Sequence, residues 1–361
     1  MNQDLALSVL SEIMNWDLAR CRTEFAWLQL MARFKYDGYR DFVAGLRFVE
    51  SLADWLQQFK PEHREAAYLF VRTHVLYFGP AEINHLVDHF YPGVVRPFLL
   101  DTVASEVGKP RYLLTPAHPK YRDLLRQTLF FGLSDGARID SFRRATSGII
   151  SNEQILLATE IAKPKWDQVL KSLQKDLNDQ ARFRVLFLID DFTATGTTLF
   201  GKLERFWRDF SNYGIANSHM SPTWDIHVHH YIATADVKEN LPIRDAAQRK
   251  ERKEDWFSDL HFSYSFVLPA SMKLSEANTG AFWEVIDQYY NSSIETEHTR
   301  KGGGKDVKLG FGQCALPLVL EHNTPNNSIP LLWAETDDSN GEHPMRPLFR
   351  RRQRHTHLSG I

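Results

Sequence analysis

The sequence predicts an α/β protein: a parallel sheet flanked by helices, joined to an α-helical N-terminal module. Three observations lead there. Up to about residue 105, apolar residues recur at helical spacing. After Pro110, short apolar runs alternate with helical patterns, the grammar of a parallel sheet covered on both faces. One of those runs, Val185–Ile189, passes directly into two acids and a small-residue turn before a helix begins.

The N-terminal module is read as residues 1–109. Leu5, Val9 and Ile13 share one helical face, as do Leu46, Val49, Leu52, Ala53 and Leu56, and then Ala66, Ala67, Phe70, Val71 and Val75. Lys60-Pro61 separates the second run from the third, and Gly79-Pro80 opens a new turn. The aromatic residues Trp16, Phe25, Trp27, Phe34 and Tyr36 are read as packing groups.

The α/β domain is read as residues 110–345. Its expected strands are Tyr112–Thr115, Thr128–Leu133, Val185–Ile189, Ile226–Ala233 and His261–Leu268, and its expected helices Asp140–Ala145, Trp166–Leu177 and Thr197–Phe210. Beyond Pro269 the pattern loosens. Phe282, Val285 and Ile286 suggest a short helix, Arg300–Lys305 a mobile Gly-rich loop, and Lys308–Leu320 a strand. His322–Ser328 is turn chemistry ahead of an apolar segment, Ile329–Trp333. Residues 346–361 form a basic tail, with Arg350, Arg351, Arg352 and Arg354 close together; it is read as a solvated end or an intramolecular clamp.

Composition narrows the function classes. The 361 residues are 43% hydrophobic, enough for a sizeable core. A formal net charge of -2 gives no general pull toward nucleic acid or acidic membranes; a nucleic-acid contact by the tail is left open. Cys21 and Cys314 form no zinc or disulfide spacing and are read as buried thiols in a reducing compartment. The N-terminus lacks the charge-then-apolar order of a signal peptide, and no run approaches a membrane span, so a cytoplasmic protein is expected.

The chemistry is concentrated in Val185–Thr198. Five apolar residues build a buried strand, Asp190 and Asp191 follow at its carboxyl end, and a turn leads into a helix. In open α/β sheets ligands bind outside the carboxyl ends of strands. Thr195, Gly196, Thr197 and Thr198 present backbone N–H groups and hydroxyls at a helix N-terminus, which suits a phosphate monoester. The neighbouring acids can accept hydrogen bonds from ribose hydroxyls. An ordinary capped helix start would not explain two consecutive acids directly after a buried strand.

This stretch resembles the signature of type I phosphoribosyltransferases, which bind phosphoribosyl pyrophosphate (PRPP). The resemblance covers about 14 residues of apolar strand, two acids and Thr-Gly-x-Thr. It implies that Asp190 and Asp191 are the catalytic pair, hold the ribose hydroxyls and indirectly orient Mg²⁺. It implies also that Ala194, Thr195, Gly196, Thr197 and Thr198 bind the 5′-phosphate. Purine-salvage members carry a further acid where this chain has Ala194, which argues against a hypoxanthine or guanine acceptor. The family needs a second loop for pyrophosphate. The candidate is Ser134, Asp135, Gly136, Ala137 and Arg138, ahead of Asp140, with Arg143 and Arg144 as helpers; an ordinary turn capped by Asp140 is the equal alternative.

A looser resemblance covers most of the chain. The helical N-terminus, the Ser134–Asp140 loop, and the ending through Thr324-Pro-Asn-Asn, Ile329–Trp333 and Arg346–Arg351 are similar to the bacterial conflict-system branch of phosphoribosyltransferases. That likeness implies an antiphage effector with a protein partner from a defence operon. The resulting expectation is a Mg²⁺-dependent, phosphoribosyltransferase-like enzyme. A non-catalytic PRPP-binding regulator and a nucleotide-hydrolysing effector are its alternatives. His227 and His229 share a strand face as metal ligands do, but no acid or cysteine completes a site, so packing is expected. Asn323–Asn327 with Trp333 suits an acceptor pocket less well than a structural turn. Arg300–Lys305 lacks the residues of a P-loop.

Overall fold

A computed structural model describes residues 3–40, 42, 47–156, 162–252, 257–296, 306–338 and 342–351. Two compact units emerge, Met1–Glu82 with Ser271–Ile361, and Ile83–Ala270. They do not follow the sequence boundary at 109/110. The reason is visible in the first unit's core, where residues from the C-terminal third pack among the N-terminal helices.

The first unit opens with α1 (Gln3–Met14), α2 (Leu18–Phe34), α3 (Phe48–Gln57), α4 (Pro61–Thr73) and β1 (Leu76–Phe78). Pro61 stands at the start of α4, where its missing N–H costs nothing. The chain then enters α5 (Pro80–Phe90), beginning at the expected Gly79-Pro80 turn.

The second unit continues with α6 (Arg96–Val107), α7 (Pro119–Arg126), β2 (Thr128–Gly132), α8 (Ile139–Ala145), β3 (Ile155–Leu156), α9 (Lys163–Asp176) and β4 (Phe183–Thr193). It ends with α10 (Thr197–Asn212), α11 (Ile215–His219), β5 (Met220–Thr234), α12 (Ala235–Arg252) and β6 (Asp259–Leu268). The remainder of the first unit holds α13 (Glu276–Thr279), α14 (Phe282–Gln288) and β7 (Leu318–Leu320).

In the first unit, Phe282 of α14 stacks on Phe70 of α4 at 4.0 Å between ring centroids. Trp55 Nε1 donates to the Leu331 carbonyl at 2.7 Å. Strands β1 and β7 pair in parallel, Leu76 against Leu318. Phe349 sits among Tyr36, Tyr39, Phe42, Phe48 and Tyr77. The described start of the basic tail is therefore clamped within this unit: Arg346 pairs with Asp54, Arg350 with Glu335, and Arg351 lies over Trp333. Arg352 and Arg354 lie outside the described residues, as do Leu46 and Arg300–Lys305. Of the aromatic residues expected to pack, Tyr36 is buried, while Phe34 is 76% exposed on α2.

The second unit is a five-stranded sheet in the order β3-β2-β4-β5-β6, every neighbouring pair parallel. Its apolar strands are covered on both faces, as the uninterrupted Val185–Ile189 run requires. Leu186 and Leu188 join Trp166, Leu199, Leu203, Phe206 and Phe210 from α9 and α10. On the other face, Phe187 meets Phe90, Phe98 and Phe130. The chain steps from β2 outward to β3, then returns past β2 to β4. Winding therefore reverses between β2 and β4, opening the crevice where doubly wound sheets bind ligands.

Some expected elements differ. Tyr112–Thr115 is not a strand but part of a 3₁₀ turn at Arg111–Leu113, with Tyr112 and Leu113 exposed. Of Lys308–Leu320 only Leu318–Leu320 is strand, because Gly310, Gly312, Gln313 and Ala315 all adopt positive φ and break the extended run. Ile329–Trp333 contains the 3₁₀ turn Pro330–Leu332. Helix α12 was not expected, and it carries Pro242 internally. Cys21 and Cys314 form no disulfide and are only half-buried.

Three histidines of β5 are packed as neutral rings. His227 and His229 share Ser263 Oγ at 2.8 Å each, and His229 also reaches Ser265 Oγ at 3.0 Å. Phe90 stacks on His229 at 4.2 Å. Burial depresses His227 and His230 to about 3 and His229 well below its ordinary 6.5. Among the described residues no cluster of metal-ligating side chains forms around them.

Because folding lowers these pKa values, their stabilisation is complete above pH 6.5 and is lost as pH falls toward 3. Each histidine forfeits at most about 2 kcal/mol by pH 5. His229→Phe is therefore expected to lose less melting temperature between pH 7.5 and 5.5 than the parent, although it starts lower. Equal losses in the two proteins, read by calorimetry across that window, would contradict the assignment.

Candidate functional site

The reversal between β2 and β4 brings two loops level with each other. Gly132 pairs with Ile189, and the Leu133 N–H donates to the Ile189 carbonyl at 2.8 Å. A Cβ on Gly132 would stand 3.3 Å from the Ala137 Cβ, so glycine lets this loop fold back on its strand. Ser134 caps a 3₁₀ turn, Asp135–Ala137, by accepting the Gly136 N–H at 3.2 Å. Ala137 is buried, Asp135 is exposed, and Ser134, Gly136 and Arg138 are half-buried. Arg138 adopts φ 51°, a left-handed conformation that costs a non-glycine residue about 1–2 kcal/mol. Arg144 pairs with Asp140 at 2.5 Å, and Arg143 stands 3.7 Å from the same carboxyl.

The acids are not equivalent. Strand β4 runs on to Thr193, so its pleat sends Asp190 and Asp191 toward opposite faces. Asp190 falls on the α10 side and is 5% exposed, whereas Asp191 is half-buried. Both Asp190 oxygens are engaged. Oδ1 accepts from Ser134 Oγ and from the Asp191 N–H, and Oδ2 accepts from Lys202 Nζ at 2.5 Å. The bond from Ser134 joins the two loops directly.

Burial raises Asp190 to about 6, helped by the Asp191 charge and opposed by Lys202 and Ser134. Folding raises this pKa, so its contribution to stability is present below 3.8 and is lost as pH rises through about 6.

The turn after β4 is held from three directions. Thr234 Oγ1 donates to the Ala194 carbonyl at 2.9 Å, and Arg244 Nη1 donates to the Thr195 carbonyl at 2.6 Å. Thr195 Oγ1 accepts the Thr197 N–H at 3.4 Å. Gly196 adopts φ 70° as the residue before α10. Ala194 is buried and Thr195 half-buried, while Thr197 and Thr198 are exposed at the N-terminus of a 16-residue helix. Oriented N–H groups and a helix dipole at that end favour an anion.

The structure thus sets the two candidate loops side by side at one strand reversal and joins them through Ser134 on Asp190, while Asp191 turns toward the other face. It adds two cations that motif reading missed. Lys202 lies four residues beyond Thr198, on the same face of α10; that i,i+4 spacing was the available signal. Arg244 comes from α12, unexpected from sequence, and its guanidinium lies over the Phe200 ring. The Asn323–Asn327 turn belongs to the other compact unit and is structural, with Asn327 Nδ2 bonded to the Phe311 carbonyl and Trp333 Nε1 to the Ser328 carbonyl.

A family model, PRTase-CE, matches residues 52–351. The chain belongs to the PRTase-CE family. No curated protein and no solved structure matches it. Membership of PRTase-CE supports a phosphoribosyltransferase-like function and a phosphoribosyl substrate. The parallel sheet with flanking helices is consistent with that PRTase-like fold. No helix among the described residues is long and apolar enough to cross a membrane.

The turn makes a stability prediction. A Cβ at Gly196 would lie 2.5 Å from Leu241 Cδ2, in addition to the unfavourable φ. Gly196→Ala is expected to cost about 1–2 kcal/mol in urea unfolding from the backbone alone, and more from the clash. Combined with Leu241→Ala, the total cost should fall short of the sum of the two single costs. Strict additivity would show that the two positions do not collide.

Proposed function

We propose that this chain binds PRPP in the crevice between β2 and β4 and breaks its bond to pyrophosphate. The observation that carries the reading is the Ser134–Asp190 hydrogen bond, which ties the loop after β2 to the first of the two acids on β4. In this reading the 5′-phosphate lies on Ala194, Thr195, Gly196, Thr197 and Thr198, with Arg244 beside them. Asp190 and Asp191 form the ribose end. Ser134, Asp135, Gly136, Ala137 and Arg138 receive the pyrophosphate.

The reaction breaks the bond between ribose C1 and the pyrophosphate oxygen, which leaves with the electron pair. A nucleophile then forms the new bond at C1. The chain's task is to position the sugar and stabilise the departing charge. Arg138 supplies a fixed positive charge for the leaving group.

Mg²⁺ is proposed as the metal. Among the described residues no three His, Cys, Asp or Glu side chains gather into a cage. Mg²⁺ would therefore take its oxygen ligands mostly from the substrate and from water, with Asp190 and Asp191 orienting it only indirectly. Its contribution would be neutralisation of phosphate charge.

The finer biological reading, which the resemblance read from the sequence supports, is an effector of bacterial antiphage defence controlled by a protein encoded beside it. A second reading, a PRPP-binding regulator without turnover, is favoured by the Asp190 carboxylate being fully engaged by Lys202 and Ser134.

Calorimetric titration with PRPP and Mg²⁺ tests the site. Thr198→Ala and Asp191→Asn should each weaken binding about tenfold or more, as expected for loss of a hydrogen bond to a charged group. Pyrophosphate release that disappears in the Asp190→Asn/Asp191→Asn variant marks an enzyme; saturable binding without release marks the regulator. Failure of the parent protein to bind PRPP removes both. Cells carrying the same double variant should lose protection against phage if the defence reading is correct.

A further inference from the structure

The position of Lys202 has a consequence for the chemistry of the acid pair. Asp190 and Asp191 are consecutive, one of them buried, and each charge raises the cost of the other. Such a pair needs a cation close by. A divalent metal is one solution. In this fold the place beside Asp190 is filled from within: Lys202 Nζ contacts Oδ2 while Ser134 Oγ holds Oδ1. The lysine is 22% exposed and the aspartate 8% by side chain, so solvent screens the contact weakly.

Two further observations place the ammonium among buried groups rather than at a surface. His230 sits level with Asp190 on the neighbouring strand, and the charge of Lys202 helps to depress its pKa, after burial. Leu199 and Leu203 of α10 are buried in the core on either side of Lys202 in sequence. The helix is therefore packed in place and the stem of Lys202 has little freedom to swing away.

We infer that Lys202 is the resident counter-cation of Asp190, a positioning residue that lets the site hold a sugar phosphate without a divalent metal at that carboxylate. The inference rests on the reading of the crevice as a phosphoribosyl site, and it deepens that reading. Any divalent cation accompanying PRPP then serves the pyrophosphate end alone. Lys202 also holds Asp190 in the orientation that receives Ser134, so one lysine maintains the register of both loops.

Two probes test this separately. The first is ribose 5-phosphate, which has no pyrophosphate to demand a metal. The parent protein should bind it equally, within about threefold, in EDTA and in Mg²⁺. Lys202→Met should bind it about tenfold or more weakly in EDTA and recover with Mg²⁺, whereas Lys202→Arg, which keeps the charge, should stay insensitive to EDTA.

The second probe is Mn²⁺ alone, followed by its electron paramagnetic resonance signal. Lys202→Met should bind Mn²⁺ at the Asp190 carboxylate left without its cation, and the parent should not. Parent binding of ribose 5-phosphate that EDTA abolishes would overturn the proposal, as would Mn²⁺ binding of equal strength in parent and variant. Absence of any sugar-phosphate binding by the parent would instead overturn the phosphoribosyl reading, and the Mn²⁺ comparison would still decide the role of Lys202. Melting curves of both variants establish that each is folded when compared.

Discussion

A carboxylate buried at the carboxyl end of a parallel strand must be compensated, and the compensation of Asp190 organises this site. Left alone, the charge would cost several kcal/mol. Lys202 supplies a positive charge from α10, and Ser134 supplies a donor from the loop after β2. Each partner comes from a different connection of the sheet. Satisfying one oxygen pair therefore pins a helix and a loop against the same strand. The orientation of both candidate anion sites follows from that bond set.

The same constraint explains why the two acids diverge. Strand β4 extends past them, so the pleat alternates their directions. Asp190 becomes a buried anchor with a raised pKa, while Asp191 remains nearer solvent. Next to them, the turn at Gly196 is specified by a positive φ and by the close approach of Leu241. Arg244 and Thr234 fix its carbonyls. The turn is thus held in place through its carbonyl groups.

The neighbouring sheet face shows how the fold tolerates polarity without using it. His227 and His229 lie where metal ligands could lie, yet both are absorbed by serines of β6 and by aromatic rings. Their neutrality is a consequence of burial.

Local patterns in the sequence determined a good deal. The run Val185–Ile189 could only be a strand buried on both faces, and the acids and Thr-Gly turn after it had to emerge at a carboxyl end. The strands containing Thr128, Ile226 and His261 and the helices at Asp140, Trp166 and Thr197 were legible for the same reason, although β5 begins six residues earlier than expected: hydrophobic periodicity is a short-range signal. What periodicity could not convey was partnership between distant segments.

Only the tertiary structure placed Ser134 on Asp190, Arg244 on Thr195, and Phe349 among the aromatic residues of the N-terminal helices. It also separated Asp190 from Asp191 by burial and made Lys202 a member of the site. These relations depend on which strands are neighbours and on which helix covers which face. Those choices are made by the packing of the whole chain, since no short stretch of sequence carries the energy to decide them.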